Sequence, residues 1–294
     1  MIDLLMRVRP AEHIDNYPSP TDLHELLALE NVQSRTRLWV DPHCGLVAFA
    51  LVDDYHNLRF EIDPQYSSPD LEAEIVAWGV ECLQREYLET GDRPTLDASC
   101  REDDTRQITF LQRHGFTRSP DRTLHMARPL QSHIPEPVLP GGFTIRPISG
   151  VEEAQALVEL HRAAFGTSQM TLELRLAMMD VPDYDPDLDL VAVAPHGRLA
   201  GYCFCYISYA ENAKNGRLDG YTDPVAVHPD YQRRGLARAM LFAGLRLLQE
   251  RGMHTARLST SANNLAMQRA AESAGYQVES ATFWYSMPVS TPFS

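Results

Sequence analysis

The sequence contains one pattern of elements twice, and this internal repeat constrains the fold more than any other feature. IDPQYSSPDLEAE, residues 62–74, aligns with VHPDYQRRGLARA, residues 227–239, keeping a proline and a tyrosine in register. Each segment is followed by an amphipathic helical pattern, a strand-like run, and a helix that ends in glycine and an aromatic residue. A spacing this long excludes a solenoid repeat and predicts two copies of one globular fold.

A proline-rich segment lies between the two copies. Residues 129–142, PLQSHIPEPVLPGG, can neither continue a helix nor lie inside a sheet. We therefore predict a first domain at residues 1–130, a linker at residues 131–142 and a second domain at residues 143–294. With 294 residues, the chain is long enough for each domain to bury its own core.

The order of elements in the second copy predicts a mixed α/β (α+β) fold. Three strand-like runs, DLDLVAVAP, RLAGYCFCYIS and GYTDPVAVHP, follow one another with only turns between them. Consecutive strands joined by turns pair antiparallel, so the predicted sheet is largely antiparallel. Apolar residues at helical spacing after Gly235 predict a long helix, which Gly252 is placed to end.

The composition limits the function classes. A formal net charge of −14 argues against a broad surface for nucleic acid or anionic membranes, because phosphate contacts require a basic face. No apolar run approaches the roughly 18 residues that a membrane span requires. The N-terminal stretch lacks a signal-peptide core, so we expect a cytoplasmic protein. The cysteines and histidines show no ligand spacing, and we expect no metal site.

The junction between strand and helix in the second copy has the chemistry of an anion site. In VHPDYQRRGLARAM, residues 227–240, a short loop with glycine leads into the predicted helix. The first N–H groups of a helix lack partners within the helix, and the helix dipole favours negative charge there. Gly235 allows close approach of a ligand, and Arg233 and Arg234 can contact phosphate oxygens. A basic, solvated helix start is the alternative interpretation.

The run from Gln232 to Ala237 resembles the (Q/R)-x-x-G-x-(G/A) motif of the GNAT superfamily of acyl-CoA N-acyltransferases. Asn264 with residues 275–276 is similar to the family's N…GF segment, and the resemblance covers residues 143–288 in the family's element order. It implies tandem GNAT-like domains, each with a twisted sheet flanked by helices, and acetyl-CoA as cosubstrate. The implied activity is direct transfer of an acetyl group to a primary amine of a small molecule, within a ternary complex.

The resemblance also assigns cofactor contacts by position. Asn264 would meet the pantetheine arm of acetyl-CoA from an element facing the strand that lies alongside it. That strand consists of Val225, Ala226 and Val227. The residues whose backbone N–H groups would cradle the pyrophosphate are Gln232, Arg233, Arg234, Gly235, Leu236 and Ala237.

The first copy resembles a degenerate form of the same site. Ser67, Ser68, Pro69 and Asp70 stand opposite the residues from Gln232 to Gly235. The serines and the proline form an ordinary helix start, and an acidic residue there already satisfies the dipole and repels a pyrophosphate. We therefore predict that only the second domain binds CoA strongly.

Acetyl transfer requires a neutral amine, a polarised carbonyl group and a proton for the departing thiolate. The resemblance implies Asp223 as the general base, whereas capping of the loop before Pro224 is its alternative role. Many family members carry a tyrosine acid where this sequence has Ala271. Either Tyr276 or Tyr285, the nearest tyrosines in sequence, replaces it, or the thiolate leaves unprotonated. Tyr276 also fits a packed aromatic after a helix-ending glycine.

The acceptor site is less defined. LAMMDVPDYDPDLD, residues 176–189, is rich in aspartate and lies where this family usually builds its substrate loop. The segment could attract an amine by charge, or it could be a solvated acidic loop. The first domain could wall off one side of the pocket or provide an oligomer contact, as in a homodimer.

Two other functions compete with acetyl transfer. The missing tyrosine and the degenerate first copy are compatible with a non-catalytic CoA-binding sensor or scaffold protein. A nucleotide-binding or kinase-like protein is disfavoured, because the sequence lacks the GxxxxGK(S/T) motif with its lysine and hydroxyl pair.

Overall fold

The structure of the protein, a computed structural model, describes residues 1–90 and 94–290. The elements of the first part of the chain are α1 (Ile2–Val8), α2 (Pro20–Leu27), α3 (Glu30–Ser34), β1 (Thr36–Asp41), β2 (Gly45–Val52), β3 (Leu58–Ile62), α4 (Pro69–Thr90), β4 (Thr95–Arg101), α5 (Thr105–Arg113) and β5 (Thr117–Pro129). They are followed by β6 (Thr144–Pro147), α6 (Ala154–Phe165), α7 (Leu172–Met179), β7 (Asp189–Val193), β8 (Leu199–Tyr206), α8 (Tyr209–Asn215), β9 (Asp219–Val227), α9 (Leu236–Glu250), β10 (Thr255–Ser261), α10 (Leu265–Ser273) and β11 (Gln277–Pro288).

The chain divides into two compact units. The first consists of Met1–Arg122 with Ala281–Ser294, and the second of Thr123–Ser280. In the first unit β1, β2 and β3 pair antiparallel in that order. Strand β4 pairs antiparallel with residues 282–288 of β11, so the last strand of the chain completes the first unit.

The second unit is built on a sheet whose strands lie in the order β5, β10, β9, β8, β7, β6. Its pairs are antiparallel except for β9 and β10, which run parallel. The mixed, largely antiparallel α/β fold predicted from the sequence is therefore confirmed. Helices α7 and α8 were not predicted, because each is short and its sequence shows no strong apolar periodicity.

Helix α9 lies close to this sheet because two glycines remove side chains at the contact. A Cβ atom at Gly220 would come within 2.6 Å of Leu248 Cδ2, and a Cβ atom at Gly244 within 2.6 Å of Cys205 Sγ. The helix buries an apolar face that includes Leu236, Met240, Leu241, Leu245 and Leu248. This packing fixes the N-terminus of α9 just beyond the end of β9.

The boundaries proposed from the sequence, at residues 130 and 143, differ from this division. The proline-rich segment between them packs on the second unit, where Ile134 and Phe143 belong to the buried core. Arg246, on α9, donates to the carbonyl of Ile134 at 3.3 Å and forms an ion pair with Glu136 at 2.8 Å. Proline prevents regular structure here but does not prevent burial. The composition of the segment therefore predicts a linker, although the segment packs on the core.

No helix within the described ranges is long and apolar enough to cross a membrane.

Candidate active site

The parallel strands β9 and β10 separate partway along their length. They pair only from Asp219 to Tyr221, opposite residues 255–257. Beyond that point Asp223 reaches across the gap, and its Oδ2 accepts the backbone N–H of Ser259 at 3.0 Å. On the other side of β9, the register with β8 shifts at this level, so that Asp223 and Pro224 both stand opposite Phe204. The sheet therefore opens where the predicted general base lies.

The backbone of Val225 and Val227 faces this opening. In the ladder between β8 and β9, the amide of His228 donates to the carbonyl of Ala200 at 2.9 Å. Because hydrogen-bonded pairs alternate along an antiparallel ladder, Val225 and Val227 direct their N–H and C=O groups away from β8. The carbonyl of Val227 accepts the side chain of Gln232 at 3.2 Å. A ligand in the opening would meet a strand edge with backbone donors and acceptors.

The loop between β9 and α9 forms a concave set of backbone amides. Arg233 and Gly235 both have positive φ, at 60° and 83°. Alternation of left-handed and ordinary conformations turns successive N–H groups toward one side, as in other anion-binding loops. In the described part of the chain, no acceptor lies within hydrogen-bond distance of the amides of residues 233–238. These donors, at the N-terminus of α9, are those that a phosphate group requires.

Two arginine side chains border these amides. Arg233 and Arg234 are both exposed. Arg234 donates to the carbonyl of Asp230 at 3.1 Å, and its guanidinium lies 5.7 Å from the ring centre of Tyr231. The Tyr231 ring is buried in the core of the second unit, so Arg234 is anchored beside the loop. Both arginines can add positive charge at the mouth of the amide cradle.

Asn264 begins helix α10. Its Oδ1 accepts the backbone N–H of Met267 at 3.1 Å, which makes it the N-cap of that helix. Asp104 caps α5 in the same way in the first unit, through the amide of Gln107 at 2.9 Å. The asparagine oxygen is therefore used locally, whereas its side-chain NH2 group remains a donor on an exposed residue.

The equivalent helix start in the first unit is capped by its own residues. The amide of Leu71 donates to Ser68 Oγ at 3.2 Å, and the amide of Glu72 to the carbonyl of Ser68 at 2.9 Å. Ser67 Oγ donates to the Glu72 carboxylate at 3.1 Å. The N-terminus of α4 thus carries a negative charge, and its amides donate to Ser68. The N-terminus of α9 instead presents free amides beside two arginines.

The gap between β3 and β4 in the first unit is also filled from within. Arg59, only 4% exposed, donates to Ser99 Oγ at 2.6 Å, and its guanidinium lies over the rings of Tyr17 and Trp284. Its Nε lies 3.5 Å from the buried carboxylate of Asp53. Ser99 lies five residues before the N-cap residue Asp104, as Ser259 lies five residues before the N-cap residue Asn264 in the second unit. The position that is open beside Asp223 is therefore occupied by an arginine side chain in the first unit.

The model of the Acetyltransferase (GNAT) family matches residues 154–276, from the start of α6 to the residue before β11. The second unit, called the GNAT unit, is similar to this family over these residues. The match covers the opening, the amide cradle and α10. The predicted family resemblance is thus confirmed for this unit.

A mycothiol acetyltransferase of Saccharopolyspora erythraea is 34% identical over 165 residues, which are 54% of this chain and 51% of that protein. The chain spans about half the length of the mycothiol acetyltransferases that it matches.

Two solved structures share the fold over nearly the whole chain. A tandem GNAT protein from the clavulanic acid biosynthesis pathway has a TM-score of 0.68 at 18% identity, covering 98% of this chain and 94% of that one. A GCN5-related N-acetyltransferase from Sphaerobacter thermophilus has a TM-score of 0.67 at 23% identity, covering 97% and 92%. The likeness extends to both units, as expected for a tandem fold.

The two candidate acid tyrosines are both enclosed in hydrophobic cores. Tyr276 is 2% exposed, and its hydroxyl lies 2.6 Å from Thr222 Oγ1. Burial raises the pKa of Tyr276 well above its usual value. Tyr285 is buried in the core of the first unit, opposite Ala98 of β4, and burial raises its pKa as well. Ala271, at the family's tyrosine position, is fully buried.

A second pair of side chains joins α6 to β8. Nδ1 of His161 lies 2.6 Å from the hydroxyl of Tyr202, a buried residue of β8. Burial, with the charges of Arg162 and Arg175, lowers the pKa of His161 to about 4. Burial also raises the pKa of Tyr202 far above its usual value, and the carboxylate of Asp223 adds to this. The pair is therefore neutral near pH 7 and borders Asp223 without adding charge.

The aspartate-rich segment of the GNAT unit is held by internal contacts. Asp183 accepts the first amide of α8 at 3.1 Å, and Asp185 forms an ion pair with Arg251. Asp189 is fully buried and forms an ion pair with Arg175. These partners reduce the charge that the segment presents to solvent. A cleft of about 260 Å³ remains beside it, lined by residues 182–186 with Leu188, Ile207 and Tyr209.

No local sequence pattern marks Ser259 or His125 as a site residue. Nδ1 of His125, on β5, lies 3.2 Å from Ser259 Oγ. The repeat alignment places Ser259 within a strand, but nothing local indicates which strand lies beside it. This contact depends on the register of β5 against β10, which is a tertiary property.

Proposed function

We propose that the protein is an acetyl-CoA-dependent N-acetyltransferase that acetylates a primary amine of a small molecule by direct transfer. The observation that carries the proposal is the unpaired amide cradle of residues 233–238 at the end of a strand that opens beside Asp223. The amide cradle suits the phosphates of an acyl-CoA, and the free strand edge suits its long arm. The carboxylate suits an amine nucleophile that must lose a proton. The match of residues 154–276 to the GNAT family model supports the same activity.

The cofactor contacts follow from these positions. Backbone N–H groups from Arg233 to Ala237 would hold the pyrophosphate, with the side chains of Arg233 and Arg234 adding charge-assisted contacts. The amide of Gln232, predicted from the sequence to join them, donates instead to the carbonyl of Pro229 at 3.3 Å. The free backbone groups of Val225 and Val227 would pair with the amides of the pantetheine arm, as a strand does. Ala226, between them, pairs with β8 and would hold that edge straight. The side-chain NH2 group of Asn264 is a further donor to the arm.

Asp223 would act on the amine. Its carboxylate lies at the point where β9 and β10 separate, so an amine entering there meets a proton acceptor and a negative charge. The N–H of Ser259 holds the carboxylate in place, which fixes its orientation. We propose that Asp223 takes the proton as the amine nitrogen bonds to the carbonyl carbon of the thioester. Covalent catalysis is not required for this step.

The first unit would then serve as a non-catalytic partner. Its helix α4 begins with Ser68 and Asp70 rather than with free amides, and Arg59 fills the gap between its strands. Both features support a degenerate GNAT-like domain that does not bind CoA. Electron density for CoA at residues 69–71, after soaking with acetyl-CoA, would contradict this part of the proposal.

The names of the relatives support a small-molecule acceptor, since several are mycothiol acetyltransferases. We propose an amine-bearing small molecule as acceptor for this chain. A direct test incubates the full chain with acetyl-CoA and a panel of primary amines. The expected result is release of CoA thiol together with an acetylated product resolved by mass. Binding of CoA without turnover on any amine would contradict acetyl transfer.

A CoA-binding sensor is the second candidate, and one observation favours it. Ala271 is buried where the resemblance leads us to look for a tyrosine acid, and Tyr276 and Tyr285 both lie in cores. A sensor would bind CoA but would lose no function in Asp223→Asn. The amine panel and this variant together separate the two functions.

Replacement of Tyr276 by phenylalanine is expected to leave kcat within about threefold of the wild-type value. The hydroxyl contacts Thr222 inside the core, so its loss should instead lower the free energy of unfolding by about 1 kcal/mol. Steady-state thiol release and urea unfolding of the same preparations measure both effects. A loss of kcat near 100-fold at unchanged stability would identify Tyr276 as the acid after all.

A further inference from the structure

Ser259 occupies a central position in the opening between β9 and β10. The parallel register that pairs Arg257 with Tyr221 brings Ser259 level with Asp223. Its backbone N–H donates to Asp223 at 3.0 Å, while its side-chain oxygen lies 3.2 Å from His125 Nδ1. One residue thus joins the carboxylate and an imidazole through two different groups.

The ladder between β5 and β10 explains why the two side chains meet. Ser259 and His125 are directly opposed in this antiparallel ladder. Since the N–H of Ser259 points toward β9, the two residues form a non-hydrogen-bonded pair, the type in which side chains approach most closely. Both residues are half-buried. The pair therefore lies on one face of the sheet beside the opening, with access from solvent.

The charged side chains beside this pair on β9 and β10 are already engaged. On β10, the guanidinium of Arg257 is held by Asp219 and by Glu279 at 2.9 Å, and a guanidinium does not give up its proton. On β9, Asp223 is the acceptor for the amine. A neutral imidazole with its proton on Nδ1 can donate to a serine oxygen, whose own proton then points away from it.

We propose that Ser259 and His125 supply the proton to the departing thiolate, an inference that rests on the acetyl transfer proposed above. As the new N–C bond forms, Asp223 takes the amine proton. As the C–S bond breaks, Ser259 gives its hydroxyl proton to the sulfur and receives one from Nδ1 of His125, whose Nε2 takes a proton from solvent so that the imidazole stays neutral. Proton exchange with solvent then restores His125 and Asp223. The net reaction converts amine and acetyl-CoA into amide and free thiol, with no other reactant.

In this scheme Ser259 is a catalytic residue and His125 is a positioning residue that acts through it. In this arrangement Ser259 of β10 serves as the acid, the role that a tyrosine at the position of Ala271 in α10 would have. The arrangement also explains why two tyrosines enclosed in cores are not needed for the reaction.

The kinetic test uses variants that keep the backbone bond to Asp223. Ser259→Ala retains the N–H donor but removes the hydroxyl, so kcat should fall roughly 10- to 100-fold with KM for acetyl-CoA within threefold. Ser259→Thr keeps a hydroxyl and should recover most of this loss. The kcat of His125→Gly should fall by a similar factor and should be restored by added imidazole. His254→Gln, at an exposed histidine, is the matched control and should behave as wild type.

A binding measurement provides a readout other than turnover. The imidazole NMR signals of His125 should shift on addition of CoA but much less on addition of desulfo-CoA, which lacks the thiol. The signals of His254 should shift with neither ligand. Equal shifts of His125 with both ligands would show that the sulfur does not reach the pair, and would overturn the proposal.

The outcomes separate this inference from the proposed function. If the wild-type protein releases thiol and Ser259→Ala retains full kcat, the proton route is wrong and the acetyltransferase function stands. If the wild-type protein acetylates no amine, both proposals are overturned together.

Discussion

Replacing Gly235 with valine is expected to raise the Kd for CoA about 100-fold, or about 2.7 kcal/mol of binding free energy. Gly235 has a φ of 83° at the N-terminus of α9, which a β-branched residue adopts only with strain. No protein atom lies within 4 Å of a Cβ atom at this position, so the new methyl groups would extend into the open cradle. There they would exclude the phosphate from the amides of residues 233–238. Titration calorimetry with CoA measures the change.

The same helix offers a matched control at its other end. Gly252 also has a positive φ, of 80°, and also has no atom within 4 Å of a Cβ atom. Gly252→Val should therefore lower the melting temperature about as much as Gly235→Val, since both incur the same backbone strain. Its Kd for CoA should stay at the wild-type value. Equal losses of CoA affinity in the two variants would mean that Gly235 acts through stability alone.

Replacing Asp223 with asparagine is expected to lower kcat by about 100- to 1000-fold, the range for loss of a positioned general base. The amide oxygen of asparagine can still accept the N–H of Ser259, so the opening should keep its shape. KM for acetyl-CoA and the Kd for CoA should therefore stay within threefold. Steady-state rates with the best amine of the panel, at saturating acetyl-CoA, measure the effect.

Asp3→Asn provides the corresponding control, because Asp3 is an exposed aspartate in the first turn of α1. Its kcat should equal that of the wild-type protein. Retention of more than a third of kcat in Asp223→Asn would assign Asp223 the alternative role of holding the strands in position. In that case another group must accept the amine proton.

The local features of the second unit could be predicted from the sequence because local physics determines them. Apolar spacing predicted helix α9, and Gly235 and Gly252, at its two ends, both adopt the positive φ that glycine favours. A strand-like run was predicted after this helix, and β10 lies there at Thr255–Ser261. The motif from Gln232 to Ala237 needed no tertiary information, since a loop and a helix start form its cradle.

The remaining features depend on long-range contacts that no local pattern encodes. The sequence points to Asp223, but its bond to Ser259 exists only because β9 and β10 separate at that level. The contact of Ser259 with His125 joins strands far apart in sequence. Burial of Ile134 likewise could not be predicted from a segment whose prolines indicate a linker. Strand register determines the two contacts, and tertiary packing determines the burial.

The pairing of β4 with residues 282–288 has a consequence for the order of folding. Contacts between residues so far apart in sequence form slowly, because a long loop must close first. During synthesis residues 123–280, which form a continuous stretch, are complete before the partner strand of β4 has been made. We therefore expect the second unit to gain protection from hydrogen exchange first. An unfinished chain on the ribosome would therefore hold its second unit already folded before the partner strand of β4 has been made.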